Sequence, residues 1–265
     1  GYSPEGKILA LDMTLYNNAG NSLDLSAAIM DRALFHSDGA YKIPNVRVTG
    51  KCCRTNLPSN TAFRGFGGPQ GVIFAEMWMD RVARKLGKPA EKIRHLNLYD
   101  EGETCHFGQV MESSQLRACW DEAVAKADIE TRRTACNAFN AAHKHRKRGL
   151  AATPVKFGIS FTALFMNQAG ALVHCYLDGT VLVTHGGVEM GQGLHTKIAQ
   201  ICAKELGIET DSVYIAETST DKVPNSSPTA ASASSDLYGA AVTDACHQLN
   251  ERLAPIKATL GPEKC

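Results

Sequence analysis

Three stretches of this sequence combine small residues with polar groups in a way that suits a large polar ligand. The first is Thr61-Ala62-Phe63-Arg64-Gly65-Phe66-Gly67-Gly68-Pro69-Gln70, directly before a helical pattern. Glycine lets backbone approach a ligand closely, and a helix N-terminus offers N–H groups to anionic or carbonyl oxygens. No Gly-Lys-Ser/Thr follows, so this is not a Walker-type phosphate loop, and G-x-G-x-x-G fails because Gln70 holds its last position. A tight turn that caps a helix accounts for the same residues. The second stretch, His185 to Gly193, carries four glycines between residues 186 and 193, and its Gln192 offers both a donor and an acceptor. A ligand-free strand-to-helix turn has the same composition. The third, Pro224 to Ser235, is rich in serine and alanine. Its hydroxyl and N–H groups could grip a phosphate, although such a run also serves as an ordinary loop. Each stretch precedes a helix, and three such helix starts together suit one large polar cofactor.

The cysteines are less informative. Nine are present, at positions 52, 53, 105, 119, 136, 175, 202, 246 and 265, with no C-x-x-C and no zinc spacing. An odd count at this length implies reduced thiols in a cytosolic-type compartment. Cys52 and Cys53 are adjacent on an expected strand, so they point to opposite faces as two half-buried thiols.

These groups must be positioned by elements that the hydrophobic pattern outlines. Residues 7–16 read as a strand ended by an Asn17-Asn18-Ala19-Gly20 turn, and residues 22–36 as a helix capped by Ser22 or Asp24. Residues 42–51 return to strand. Residues 70–87 form an amphipathic helix with Val72, Ala75, Met79, Val82 and Leu86 on one stripe, Pro69 at its start and Gly87 at its stop. A short helix follows at 89–99, and a polar helical stretch at 113–145 ends in the basic run His143–Gly149. That run reads as a solvated helix end, where cations are favoured, rather than a nucleic-acid patch. After Pro154 come strand-like runs at 155–164, 171–177 and 180–186. A helix from near Gly193, a strand at 212–217 and a helix at 236–258 complete the pattern. The expected class is α+β, two mixed units divided as 1–115 and 116–265.

Composition bounds the function. The chain has 265 residues, 44% hydrophobic and 21% charged, with a formal net charge of +1. This is a globular composition, with no general field for a polyanion and no run long enough for a membrane span. Nucleic acid and membrane are therefore not expected partners. The chain opens on Gly1 without a signal-peptide pattern, as expected of a processed chain or a piece of a longer one.

Four segments carry a resemblance: FRGFGGPQG at 63–71, KFGISFTALFMNQAGALVH at 156–174, GGVEMGQGLHTK at 186–197 and ETSTDKVPNSSPTAAS at 217–232. They resemble the molybdenum-binding portion of the xanthine dehydrogenase/aldehyde oxidase family, in the family's order, and the similarity weakens only at about 115–145. The resemblance implies two incomplete molybdopterin-binding units, together an internal fragment. The parent would be a molybdenum oxidoreductase that converts hypoxanthine to xanthine and xanthine to urate. Electrons would pass through 2Fe–2S clusters and FAD, in domains absent from this sequence, to NAD. It also implies a homodimer in the cytoplasm, with the peroxisome as the alternative compartment.

The resemblance transfers residue by residue. Arg32, in MDRALFH, matches the arginine of the xanthine-oxidising branch that aldehyde oxidases generally lack; its pattern alone reads as a solvated helix residue. Phe66 and Phe161 match two rings around the substrate, and Thr162 a substrate hydrogen-bond partner. Phe63 and Arg64 match the pair whose backbone approaches the molybdenum ligands, and Ala231 the alanine beside the metal. Met190, Gly191, Gln192, Ala230, Ser232 and Ser234 match cofactor contacts. The family's base glutamate falls beyond Cys265 and a second substrate glutamate before Gly1, so the fragment is expected to hold no catalytic residue and to be inactive alone. Glu189 is not assigned as the base. An aldehyde oxidase of the same family and a non-catalytic scaffold that kept the fold are the alternatives.

Overall fold

The structure is a computed structural model that describes residues 1–223 and 226–260. Pro224 and Asn225, which open the third loop, and Cys265 lie outside the described residues. The chain divides into two compact units, Gly1–Gly158 and Ile159–Cys265.

In the first unit, β1 (Ala10–Gly20) and β2 (Asn45–Arg54) pair in parallel, from Ala10 opposite Asn45 to Asn18 opposite Cys53. Parallel neighbours need a crossover, and α1 (Ser26–Phe35) supplies it. The sequence Asn17–Gly20 does not turn: it stays in β1, because each residue but Ala19 finds a partner on β2 and the irregularity is absorbed as a bulge between Asn18 and Gly20. Neither Ser22 nor Asp24 caps α1. The cap position is Leu25, and the Asp24 carboxylate instead accepts from the Leu25 N–H and the Thr61 hydroxyl.

Helix α2 (Gly68–Leu86) follows the expected stripe. Ala75, Met79 and Val82 are buried, Pro69 sits in the first turn, and Gly87 closes the helix at φ 64°. Helix α3 (Ala90–Asn97) packs beside it. The polar stretch at 113–145 is two helices, α4 (Leu116–Ala127) and α5 (Ile129–Ala142), because Asp128 takes a left-handed φ of 45° between them. The basic run folds back on the end of α5. Arg148 lies 3.9 Å over the Phe139 ring, and the Arg148 N–H donates to Asn140 Oδ1 at 2.7 Å. Trp120 of α4 is buried in one core with Ile8, Tyr41, Met79, Ile93 and Leu98. That burial carries α4 into the first compact unit, which runs to Gly158.

The second unit holds β3 (Ala171–Cys175), β4 (Val181–His185) and β5 (Val213–Ile215), in the order β3-β4-β5. The pair β3–β4 is antiparallel and β4–β5 is parallel. Helices α6 (Leu194–Leu206) and α7 (Ser234–Leu260) cover the sheet through Val183, Leu194, Ile198, Val242 and Cys246. The run at 155–164 is not a strand. Its backbone is satisfied by side chains and by one loop: the Gly158 N–H donates to His36, Ser160 to the Ala231 carbonyl and Phe161 to Asn167. Cys52 and Cys53 are half-buried on β2, and the eight described cysteines are free. Among the described residues no helix is long and apolar enough to cross a membrane.

Candidate functional site

In the first unit, glycines bring the first loop onto the helix that carries Arg32. A Cβ on Gly67 would stand 2.1 Å from the Ile29 carbonyl oxygen of α1, and one on Gly71 2.5 Å from that of Ala33. Only hydrogen fits at these positions. Gly68 likewise leaves room for the Phe157 ring, 2.5 Å from a Cβ built there. The same ring lies 5.0 Å from the His36 ring and 5.6 Å under the Arg32 guanidinium. Arg32 is 5% exposed, not solvated as its pattern suggested, and its Nη1 donates to the Gly158 carbonyl. Phe63 and Arg64 are exposed and Phe66 is half-buried.

In the second unit, the second and third loops meet. The Val188 N–H donates to Thr229 Oγ1 at 2.9 Å. A Cβ on Gly186 would collide with the Ser226 hydroxyl, and one on Gly187 with Leu194 and Tyr238. The segment bearing Phe161 and Thr162 joins them, since the Ser160 N–H donates to the Ala231 carbonyl at 2.9 Å. Ser227 Oγ donates to the Met166 carbonyl at 2.5 Å. Phe161, Thr162, the 190–192 loop and Ala230–Ser234 thus belong to one neighbourhood, whereas Arg32, Phe63, Arg64 and Phe66 belong to the other unit.

The second loop differs in detail from expectation. The Gln192 amide is spent inside the loop: its Oε1 accepts from the Met190 N–H and its Nε2 donates to the Val188 carbonyl. The start of α6 is also occupied. The Glu189 carboxylate accepts from the N–H groups of His195, Gly193 and Gly191, which hold its pKa down at about 2. A group so firmly ionised is a helix cap, whereas a general base at neutral pH needs a pKa near the working pH.

Three features fit a bulky polar cofactor. Gly191 and Gly193 take left-handed φ values of 94° and 77° with open space where a Cβ would stand. Among the described residues, each unit also keeps buried polar atoms without a hydrogen-bond partner: Gln70 Oε1 in the first, His185 Nε2 and the Tyr238 hydroxyl in the second. Such atoms call for a water or a ligand group. Finally, Phe66, Ala231 and Ser232 hold left-handed φ values of 50°, 57° and 54°, and Ser160 one of 76°. Non-glycine residues in this region cost about 1–3 kcal/mol each and collect at ligand-holding sites. Sequence alone had singled out the first three but not Ser160.

Sequence alone assigns no individual role to His36, Phe157 or His185. His185 is fully buried, and its Nδ1 accepts from the Gly187 N–H at 3.0 Å. Burial, with His195 beside it, pushes its pKa down to about 4. Because the folded pKa lies below the unfolded value, this stabilisation is complete above about pH 6.5 and is lost as the pH falls toward 4. We expect thermal unfolding to show a loss on the order of 3 kcal/mol across that window, absent from the His185→Gln protein.

The comparisons with known proteins bear on this arrangement. Two models, each described as a molybdopterin cofactor-binding domain, match residues 1–98 and 122–265. The chain is 57% identical over 256 residues to xanthine dehydrogenase 1 of Arabidopsis thaliana, covering 97% of this chain and 19% of that protein. It is 55% identical over 257 residues to the xanthine dehydrogenase/oxidase of Gallus gallus, again 97% and 19%. Among solved structures, a Cu,Mo-CO dehydrogenase superposes with a TM-score of 0.81 at 22% identity, covering 98% of this chain and 35% of that one. The aldehyde oxidoreductase of Desulfovibrio desulfuricans gives 0.77 at 28% identity, covering 94% and 27%. The chain therefore spans about a fifth of the length of the curated relatives it matches. With one model covering more than half of its residues, and its loops built to leave backbone open around polar atoms, the chain belongs to the family of molybdopterin cofactor-binding domains.

Proposed function

We propose that this chain is the molybdopterin-holding part of a xanthine dehydrogenase, an oxidoreductase acting on hypoxanthine and xanthine. The observation that carries the substrate choice is Arg32: a guanidinium 5% exposed, fixed against Phe157 and Gly158 beside the FRGFGG loop. When bound, the molybdenum–molybdopterin group supplies oxygen transfer to a ring carbon and takes up two electrons. The chain's own part is placement and polarisation. Phe66 and Phe161 each offer an apolar ring to a planar purine, and Thr162 offers it a hydrogen bond. Attack on the ring pushes negative charge onto a carbonyl oxygen, and Arg32 stabilises that charge more than the ground state. Backbone at Phe63, Arg64, Ala230, Ala231 and Ser232, with Met190, Gly191, Gln192 and Ser234, would hold the cofactor, Arg64 and Ala231 being the positions the resemblance assigns to its metal. For Gln192 this means re-pairing an amide now spent within its loop.

In the parent, electrons leave through 2Fe–2S clusters and FAD to NAD, and the parent works as a cytoplasmic homodimer. We place the division between the two cofactor-binding modules at 115/116; the two family models fall on either side of it and support this.

The test is Arg32→Met in the full-length protein. Xanthine kcat/KM is expected to fall at least ~100-fold, as for loss of one preorganised donor at a developing oxyanion, with aldehyde oxidation within about 3-fold of the unsubstituted protein. Equal losses favour an aldehyde oxidase of the same family. Purified full-length protein without molybdenum and without turnover of either substrate favours a non-catalytic scaffold.

A further inference from the structure

We infer that His36 is a positioning residue for Arg32, acting through the Gly158 peptide; this rests on the reading of Arg32 as the purine-facing cation. The two residues are one helical turn apart on α1 and its cap, and both are buried, at 5% and 4% exposure. His36 Nε2 lies 2.9 Å from the Gly158 nitrogen, and His36 Nδ1 lies 2.8 Å from the Arg32 carbonyl oxygen. The Gly158 N–H can only donate, so Nε2 must be the acceptor. The Arg32 carbonyl can only accept, so Nδ1 must carry the proton. One neutral tautomer satisfies both ends.

The other face of the same peptide does the work. The Gly158 carbonyl accepts from Arg32 Nη1, and the Phe157 ring lies against both Arg32 and His36. His36 therefore fixes the peptide plane whose oxygen fixes the guanidinium. One residue earlier, Lys156 Nζ donates to the buried Asp38 carboxylate at 2.6 Å and anchors the strap. Burial holds the His36 pKa below its ordinary value. The Arg32 and Lys156 cations push the same way, while the Arg32 carbonyl and Asp38 push against them. A protonated His36 would offer Gly158 a second donor in place of an acceptor and release the peptide.

The discriminating pair is His36→Asn and His36→Gln in the full-length protein. The asparagine amide can replace Nδ1 toward Arg32 but is too short to accept from Gly158; the glutamine oxygen reaches it. With His36→Asn, xanthine kcat should fall about 30-fold, with KM for xanthine and turnover of an aldehyde each within about 3-fold. His36→Gln should stay within about 3-fold of the unsubstituted protein throughout. Independently of activity, hydrogen exchange at the Gly158 amide should quicken at least ~10-fold in His36→Asn and not in His36→Gln. Equal behaviour of the two variants, or equal loss of xanthine and aldehyde turnover in His36→Asn, overturns the inference. If Arg32→Met leaves the xanthine-to-aldehyde ratio unchanged, the underlying reading fails. If that ratio shifts in Arg32→Met but not in His36→Asn, only the positioning role fails.

Discussion

Replacing Gly67 by alanine should cost about 4 kcal/mol of stability, summing backbone strain and overpacking of a close contact. Gly67 holds φ 103°, a region that L side chains rarely enter, and its missing Cβ would lie 2.1 Å from the Ile29 carbonyl oxygen and 3.1 Å from the Ala33 nitrogen. Both neighbours are helix backbone, so neither can rotate aside. Relief requires α1 and α2 to separate, which also carries the 63–66 loop away from Arg32. Gly87→Ala is the control. It sits at a left-handed φ of 64° with open space around the added carbon, so only the strain of about 1 kcal/mol applies. Denaturant midpoints of the two variants measure the difference. If they coincide, the α1–α2 contact yields easily and glycine is not what sets their approach.

Arg94→Leu should cost about 4 kcal/mol, because it strands the Glu76 carboxylate that Arg94 now pairs. The Arg94 side chain is 4% exposed and donates to Glu76 Oε2 at 2.7 Å and Asp80 Oδ1 at 3.0 Å. Glu76 also accepts from the Tyr41 hydroxyl at 2.5 Å. Removing the cation leaves Glu76 largely buried with one donor, while Asp80, more exposed, regains water. A second change, Glu76→Leu, should recover about half of the loss, since no buried carboxylate then lacks a cation. Urea titration of the single and double variants decides this. A double variant as unstable as the sum of its parts would mean that packing, not stranded charge, dominates.

Much of the scaffold was legible where one element carries its own signals. Helix α2 announces itself through its stripe, Pro69 and Gly87, and all three hold. Cys52 and Cys53 are both half-buried free thiols on β2, as their place on an expected strand implied. The failures involve partners distant in sequence. The apolar run at 155–164 reads as a strand, but its backbone is claimed by His36, Arg32 and the Ala231 loop. Asn17–Gly20 has the composition of a turn, yet pairing with β2 keeps it extended. At the site, the three loops stand out because small residues cluster, whereas His36 and Phe157 look like ordinary helix-end and core residues. The one clue to His36 was its place four residues after Arg32, which matters only once Gly158 is known to bridge them. Glu189 was equally hidden, since its capping role depends on how the 190–195 backbone curls.

The bond between Arg32 and Gly158 joins residues 126 apart in the chain. At translation rates of 5–20 residues per second, α1 leaves the ribosome roughly 6–25 s before its partner is made. β1 and β2, only 35 residues out of register, can pair within that interval. The guanidinium meanwhile keeps its water, and desolvation waits until a peptide oxygen arrives to replace it. Vectorial synthesis thus places the dehydration of a cation at the end of the first unit's assembly, when the group that compensates it already exists.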